Sequence, residues 1–330
     1  MRKILCGVAV LAASWALWPW LSQLMPSRLL TVSASPQETQ VPVQPMAQLQ
    51  QQDAQRVTLY FRYMRTGYLT QEERVLDVPR DQTVERCILE ALLEGPGAGS
   101  LDLTPLFFGE VSVLGARRAD DTLTVTLSDA FFLPPADAPA DWGNYPYWQQ
   151  EVPLRRRLAL QAMVNALTEG GRFAKVELLV STGPGDTHGQ RVARAAFYPD
   201  EDDVTRILDP LTRAEDVILT PQRALTVALE AWQRKDWMTL YTFLRPGADA
   251  LPSETDFIAR MAGVEKSLLN YRVSTGTVSM DGAQATVCVD VQVMGKDGTL
   301  TDAKQRPMPL SRERGNWKVS YDTLRTLMDL

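Results

Sequence analysis

The uncharged N-terminal run constrains this chain more than any other feature of its sequence. After Met1, Arg2 and Lys3, no charged residue occurs from Ile4 to Ser27. About twenty apolar residues can cross a bilayer as one helix, and basic residues in front of such a helix keep its N-terminus inside. The run therefore predicts a membrane anchor from Ile4 to Met25, within residues 1–30, with the rest of the chain outside the cytoplasm.

A cleaved signal peptide is the alternative for this segment. Val32, Ser33 and Ala34 are the small residues that a signal peptidase favours, but they lie well beyond the apolar run. Pro19 limits the helix before it to about 22 Å, which is short for the hydrocarbon core. We expect the anchor to remain uncleaved, which predicts a single-pass protein of the cell membrane.

The next stretch, residues 31–55, lacks the side chains that build a core. It is rich in Gln, Pro and Ala and contains no aromatic residue. Such a composition is typical of a flexible spacer. We therefore expect the folded part of the chain to begin at Arg56, with a first domain at 56–213 and a second at 214–330.

Composition excludes several classes of function. The formal net charge is -6, and the only basic run is Arg155–Arg157, which we interpret as a solvated helix face, so no nucleic-acid partner is predicted. The three cysteines, Cys6, Cys87 and Cys288, are widely spaced, and His188 is the sole histidine. That set forms neither a disulfide framework nor a zinc site, so the sequence predicts no metal and no cofactor.

The glycine-rich stretch from Leu93 to Pro105 does not have the features of a phosphate loop. It follows a helical pattern that begins near Val84, whereas a phosphate loop precedes a helix, and it contains no lysine. Gly95 and Pro96 are better explained as the end of that helix. A nucleotide enzyme is therefore not indicated.

Two other groups of polar residues contain the residue types of functional sites. Ser181, Asp186 and His188 contain the residue types of a catalytic triad, but they share one loop and no nucleophile elbow is present. The acidic run Asp200–Asp203 lacks the spacing of a calcium loop and suits the first turn of a helix. We predict no catalytic residues and a protein that is not an enzyme.

The order of motifs in the first domain resembles a known family. The matching residues are Ala91–Pro96, Val125–Phe132 and Leu160–Gly185, which give a helix with a Gly-Pro stop, a hairpin, a long helix and a strand. This pattern is similar to the GerMN domain of sporulation and spore-germination proteins. The Leu133–Gln150 loop departs from it by its length, and no lipoprotein cysteine follows an apolar leader.

The resemblance implies an exported, envelope-associated α+β domain of α/β sandwich type. It implies no catalytic residues. It also implies a role in sporulation or germination of a Gram-positive bacterium.

The second domain shows helical patterns followed by a meander of strands. Together with this order, the segments Ala228–Leu244 and Pro309–Tyr321 resemble the cone-shaped α+β fold of nuclear transport factor and its relatives. In the strand Ala283–Val293, four valines alternate with Cys288, Asp290 and Gln292. Alternation places these three on the opposite sheet face, which we interpret as a candidate protein-binding face. Trp232, Trp237 and Tyr241 would line a pocket at the mouth of the cone, although aromatic residues at such spacing are more often core.

The hypothesis from sequence is a non-enzymatic, membrane-anchored, extracytoplasmic protein of two α+β domains. Its expected partners are envelope proteins, with self-association as one form. The alternative is an exported enzyme or small-ligand carrier that uses a pocket in the C-terminal cone.

Overall fold

The computed structural model of the chain describes residues 53–264 and 266–328. The predicted anchor from Ile4 to Met25 and the spacer up to residue 52 lie outside the described residues. Within the described part, no helix has both the length and the apolar character that crossing a membrane requires. Strand β1 begins at Asp53, so the last three residues of the predicted spacer are already part of a sheet.

The first domain has α+β architecture, with two sheets and two helices that each contact strands of both sheets. One described sheet has the order β2-β1-β3 and the other the order β4-β5-β6-β7, in which β5 and β6 are parallel and joined through α2. The elements are β1 Asp53–Tyr63, β2 Leu69–Val78, α1 Val84–Glu94, β3 Leu103–Thr104, β4 Val113–Ala119, β5 Thr122–Leu127, α2 Pro146–Thr168, β6 Lys175–Val180 and β7 Gln190–Arg191.

Strand β1 is buried on both faces toward its C-terminal end. The alternating apolar residues predict a half-buried strand, but Tyr60 and Arg62 are as buried as Phe61 and Tyr63. The Tyr60 hydroxyl donates to Glu169 at the end of α2, at 2.6 Å. Helix α2 therefore covers the face of β1 that the sequence pattern leaves to solvent.

The glycine-rich stretch binds the carboxylate of Glu72, a residue of the protein itself. Helix α1 begins after Thr83, whose hydroxyl accepts from the Arg86 N–H, and ends at Gly95, which has a φ of 93°. Beyond this end, the Gly97 N–H and the Ser100 hydroxyl both donate to Glu72 of β2, at 3.1 and 2.9 Å. The helix stop predicted at Gly95 is confirmed.

The basic run on α2 is not a solvated face. Arg155 is buried and donates to Glu151 at 2.6 Å and to Asp137 at 2.8 Å. Arg62 of β1 reaches the same Glu151 carboxylate from the other side. The predicted Leu133–Gln150 loop is also shorter than expected, because α2 already begins at Pro146. Proline is favoured in the first turn of a helix, where its missing N–H costs nothing.

The second domain has three helices followed by an antiparallel meander, as the sequence predicts. The elements are α3 Pro221–Gln233, α4 Trp237–Thr242, β8 Leu244–Arg245, α5 Glu254–Ala262, β9 Ser267–Val273, β10 Thr277–Val278, β11 Gln284–Met294, β12 Leu300–Glu313, β13 Asn316–Ser320 and α6 Tyr321–Met328. The cap at Ser253 and the pattern after it predict a helix through Leu268, but α5 stops at Ala262; the sequence pattern does not indicate α6.

The described sheet of this domain has the order β10-β11-β12-β13-β8, with β9 also paired to β11. Helix α3 contacts β9, β11 and β13. The apolar face of the sheet is therefore closed by helices, as in a cone.

The two domains form one compact unit, Gln52–Leu330. The Tyr63 hydroxyl donates to the Thr242 carbonyl at 2.5 Å, and its ring lies 5.2 Å from that of Phe243. The Leu219 N–H donates to the Leu69 carbonyl at 2.7 Å, which joins the linking segment to β2. Backbone and side-chain contacts thus fix the first domain against the second, while the predicted boundary at 213/214 stays a prediction.

The turn between β12 and β13 approaches β2 closely at Gly315. Gly315 has a φ of 85°, and a Cβ built there would lie 2.5 Å from the Gln71 carbonyl oxygen. Thr70 also donates to the Gly315 carbonyl at 2.8 Å. Only glycine fits this contact, because both its backbone conformation and the approach of β2 exclude a side chain.

We predict that Gly315→Ala destabilises the protein by about 2–4 kcal/mol, since a positive φ and a backbone clash act together. Gly282→Ala is the matched control: Gly282 also has a positive φ, of 67°, but a Cβ at this position would have no other atom within 4 Å. It should cost only about 1 kcal/mol. Urea unfolding measures the free energy of unfolding of both variants. Equal losses would show that the close approach of Gly315 to β2 contributes nothing to the cost of the substitution.

We predict a larger loss from Glu151→Gln, which leaves the buried Arg62 and Arg155 without a counter-charge. Removing one partner of a buried ion pair costs about 3–5 kcal/mol. The control is Glu90→Gln, because the Arg86–Glu90 pair is exposed and should contribute under about 0.5 kcal/mol. A comparable loss in both variants would contradict the role of burial.

The same network gives a pH dependence with a defined sign. Burial raises the pKa of Glu151, but hydrogen bonds from Arg62 and Arg155 outweigh burial and hold the pKa below its ordinary value. Because the folded pKa is lowered, this stabilisation is present above the unfolded pKa of about 4.3 and is lost as the pH falls through the folded value. The Glu151→Gln protein should lack this contribution in unfolding measured against pH.

Candidate protein-interaction surface

The two faces of strand β11 differ in burial as its sequence alternation predicts. Its four valines, at positions 287, 289, 291 and 293, are all buried against the helices. Cys288, Asp290 and Gln292 are half-buried on the other face. We call this second face, with its neighbours on β9 and β12, the outer sheet face.

Cross-strand hydrogen bonds hold the polar residues of the outer sheet face in place. The register of β11 against β12 shifts between Val289 and Val291. At this bulge, Asp290 accepts a hydrogen bond from the Gln305 N–H at 2.8 Å. Two residues along, the Gln292 amide donates to Asp302 at 3.0 Å. The side chains therefore have fixed positions, which lowers the entropy lost when a partner binds.

The outer sheet face carries both signs of charge. Strand β9 places Arg272 beside Asp290 and Asn270 beside Gln292. Together with Asp302 and Lys304 of β12, these residues surround an open depression of about 490 Å³. Mixed charges at fixed positions suit the recognition of a protein surface of complementary charge.

One flank of the outer sheet face is protected from unwanted strand pairing. Pro307 and Pro309 lie opposite Cys288 and Thr286 in the β11–β12 ladder. Strand β13 pairs β12 only from Leu310 onward, so both prolines lie on a stretch of β12 that β13 does not cover. Because proline has no N–H, this stretch is a poor template for another strand. Binding through this region therefore has to use the face of the sheet more than its edge.

The aromatic residues expected at the cone mouth make the contacts of core residues. Trp232 is 1% exposed, and its indole Nε1 has no hydrogen-bond partner in the structure. The Tyr241 hydroxyl donates to the Pro252 carbonyl at 2.9 Å, and its ring lies 5.4 Å from that of Phe257. Trp237 is half-buried against the same core. Their role in binding a ligand stays a prediction.

The loop that contains His188 is organised around Asp186. Hydrogen bonds from the backbone N–H groups of Thr182 and Gly189, and from the Thr182 hydroxyl, lower the pKa of Asp186 to about 2. The Ser181 hydroxyl donates to the Gly183 carbonyl at 2.9 Å. The Asp186 carboxylate therefore stabilises the turn. The hydrogen bonds of Asp186 and Ser181 do not form a Ser-His-Asp relay.

The acidic run Asp200–Asp203 lies in a loop, so its interpretation as a first helical turn is wrong. Asp203 accepts from the N–H and the hydroxyl of Thr205, and Glu201 pairs with Arg194 at 2.7 Å. These contacts satisfy the charges of Glu201 and Asp203 locally. Among the described residues, no group of His, Cys, Asp or Glu is arranged to hold a metal ion.

Sequence reasoning missed the neighbours that complete the outer sheet face. Arg272, Asp302 and Lys304 come from other strands, and a β-bulge sets their register against β11. The meander pattern identifies the strands, but a bulge leaves no clear signal in one sequence. Their positions therefore had to come from the structure.

The first domain matches a known protein-family model over part of the chain. Residues 58–184 match the family model Germane, described as sporulation and spore germination. The GerMN resemblance is confirmed. A search of curated proteins finds no match to this sequence.

Several solved structures show limited similarity to the chain. Tandem GerMN domains of the sporulation protein GerM from Bacillus subtilis are 14% identical, with 50% of this chain and 48% of that chain covered and a TM-score of 0.33. The first GerMN domain of the same protein is 18% identical, with 48% and 98% covered and a TM-score of 0.28. The chain thus spans about half the length of the tandem GerMN structure.

An NTF2-like protein from Cytophaga hutchinsonii is 9% identical, with 31% of this chain and 88% of that chain covered and a TM-score of 0.22. Similarity this low identifies no shared activity. The structure confirms the mixed α+β class. The cone-like arrangement of the second domain is inferred from the order of its helices and strands, and this inference does not depend on the solved structures above.

Proposed function

We propose that this protein is a non-enzymatic, membrane-anchored, extracytoplasmic component of sporulation or spore germination that binds protein partners. The Germane match of residues 58–184 supports the process. The observation that carries the binding role is the outer sheet face, where half-buried polar side chains have fixed positions, while the described helix α3 packs against the same sheet.

The packing of the two domains also supports a binding role. Contacts such as Tyr63 with Thr242 and Lys318 with Asp102 fix the outer sheet face relative to the Germane domain. A partner would therefore meet one surface of defined shape. The partner is an envelope protein or a second copy of this chain.

We predict that the full-length protein stays in the membrane fraction through high-salt and carbonate washing, because about twenty apolar residues anchor it as a helix. A variant that begins at Asp53, the first residue of β1, should appear in the soluble fraction. Membrane fractionation followed by N-terminal sequencing measures this. Release of a mature chain that starts near Ser35 would contradict the anchor and support a cleaved signal peptide.

We predict that Gln292→Arg weakens association while the fold is retained. Arginine at this half-buried position can replace the Gln292 hydrogen bond to Asp302, and a surface substitution that keeps its contacts usually changes the free energy of unfolding by under about 0.5 kcal/mol. It would nevertheless place a new charge in the middle of the outer sheet face. Cross-linking in envelope membranes and sedimentation of the purified protein measure binding to other proteins and to itself.

The matched control for this test is Gln190→Arg, the same chemical change at an exposed position on β7 of the other domain. It should leave both kinds of association unchanged. If Gln292→Arg folds and retains every partner, the outer sheet face is not the binding surface. If Gln292→Arg unfolds, the side chain belongs to the core and the proposal for this face is also wrong.

A further inference from the structure

A second surface, on the Germane domain, has the composition of a binding site. Leu133, Tyr145 and Tyr147 are 57%, 47% and 54% exposed, and Trp142 and Trp148 beside them are half-buried. The Tyr147 and Trp148 rings meet edge to face, with centroids 5.1 Å apart. We call these five residues the aromatic surface. Exposed aromatic residues in such a group are typical of interaction sites.

Arg156 lies at the aromatic surface, and no residue that the structure describes pairs a carboxylate with it. Its guanidinium carbon is 5.9 Å from the Trp142 ring centroid and 5.5 Å from that of Phe132, and Nη2 donates to the Phe132 carbonyl. Its Nε is buried and has no hydrogen-bond partner in the structure. Burial lowers the pKa of Arg156, because a charged guanidinium is less stable away from water.

The adjacent arginine shows how the same chain satisfies such a charge elsewhere. Arg155 also contacts an aromatic ring, with its guanidinium carbon 5.5 Å from the Trp148 centroid. It has two carboxylate partners, Glu151 and Asp137. Arg156 has the ring contacts and, among the described residues, lacks the acids. A carboxylate supplied by another molecule would give Arg156 the partner of opposite charge that Arg155 has within the chain.

The space beneath the aromatic surface limits how a partner can bind. A cavity lined by Phe107, Phe131, Arg156 and neighbouring apolar residues has a volume of about 20 Å³. A cavity of this size has room for one water molecule and none for a side chain. The apolar groups of a partner must therefore pack on the outside, against Tyr145, Tyr147 and Leu133.

We propose that the aromatic surface binds a protein segment in which a carboxylate stands between apolar side chains, with the carboxylate paired to Arg156. Tryptophan, tyrosine and arginine are the residues that contribute most to binding energy at protein interfaces. Aromatic rings offer a large contact area for little loss of side-chain entropy. A carboxylate beside a partly desolvated guanidinium forms a strong, charge-assisted hydrogen bond.

The charges around the aromatic surface favour a single carboxylate over an extended anionic surface. Asp137 and the exposed Asp141 flank it. These acids would repel an anionic glycan or a layer of anionic lipids, which present many negative charges at once. One acidic side chain can reach Arg156 without this repulsion, because the interaction falls off with distance and is screened by salt.

An array of random 12-residue peptides, probed with the full-length protein in detergent, tests the proposal. We expect the bound peptides to be enriched in Asp or Glu next to Leu, Phe or Trp. Arg156→Gln should weaken their binding at least tenfold. Arg157→Gln is the matched control, because Arg157 is a half-buried neighbour whose guanidinium lies over a different ring, that of Tyr198; it should change binding less than twofold.

Other outcomes would overturn the proposal. These are binding without enrichment of acidic residues, binding that Arg156→Gln leaves unchanged, and binding of hyaluronan or of phosphatidylglycerol vesicles in place of the peptides.

If Arg156→Gln does not fold, the Tyr147→Ser variant decides the test, because the Tyr147 side chain is largely exposed. Loss of binding of the same peptides in Tyr147→Ser supports the site, and unchanged binding rejects it. The result is independent of Gln292→Arg, which tests the other domain.

Discussion

The burial of two adjacent side chains at the end of β1 is the constraint on which the rest of the structure depends. Arg62 and Tyr63 point to opposite faces of one strand, and both are buried. Arg62 is neutralised by Glu151 of α2, while Tyr63 donates to Thr242 in the second domain. One strand end thus orients the long helix on one side and the neighbouring domain on the other. A strand buried on both faces cannot shift its register without exposing one of them.

This arrangement has a consequence for the proposed function. Because the Germane domain and the cone pack into one unit, the aromatic surface and the outer sheet face are presented together. Two weak surfaces on one body can bind a larger assembly more tightly than either surface alone, if the partners match their spacing. A membrane anchor would raise the local concentration of such a protein further. Binding of this kind depends on exposed surface and fixed geometry, and it requires no catalytic group.

Local patterns predicted much of the fold. The alternation of β11, the helix that begins near Val84 and the helix end at Gly95 are all present, because each depends on residues within a few positions of one another. Two interpretations that failed concern charge. Arg155 was expected in solvent and is buried, while the acids at Asp200–Asp203 were expected to begin a helix and lie in a loop. Neither helix propensity nor a run of charged residues indicates which distant residue will pair with a given charged side chain.

The sequence by itself determined the order of helices and strands, the two faces of the cone sheet and the Germane motifs. Periodicity and turn residues carry that information locally. Only the tertiary structure decided which charges are buried and, within the part of the chain that the structure describes, which carboxylates pair with the buried guanidinium groups of Arg62 and Arg155. Arg62 and Glu151 are 89 residues apart in the chain. A buried charge is tolerated only where a partner of opposite charge meets it, and that meeting is a property of the folded chain.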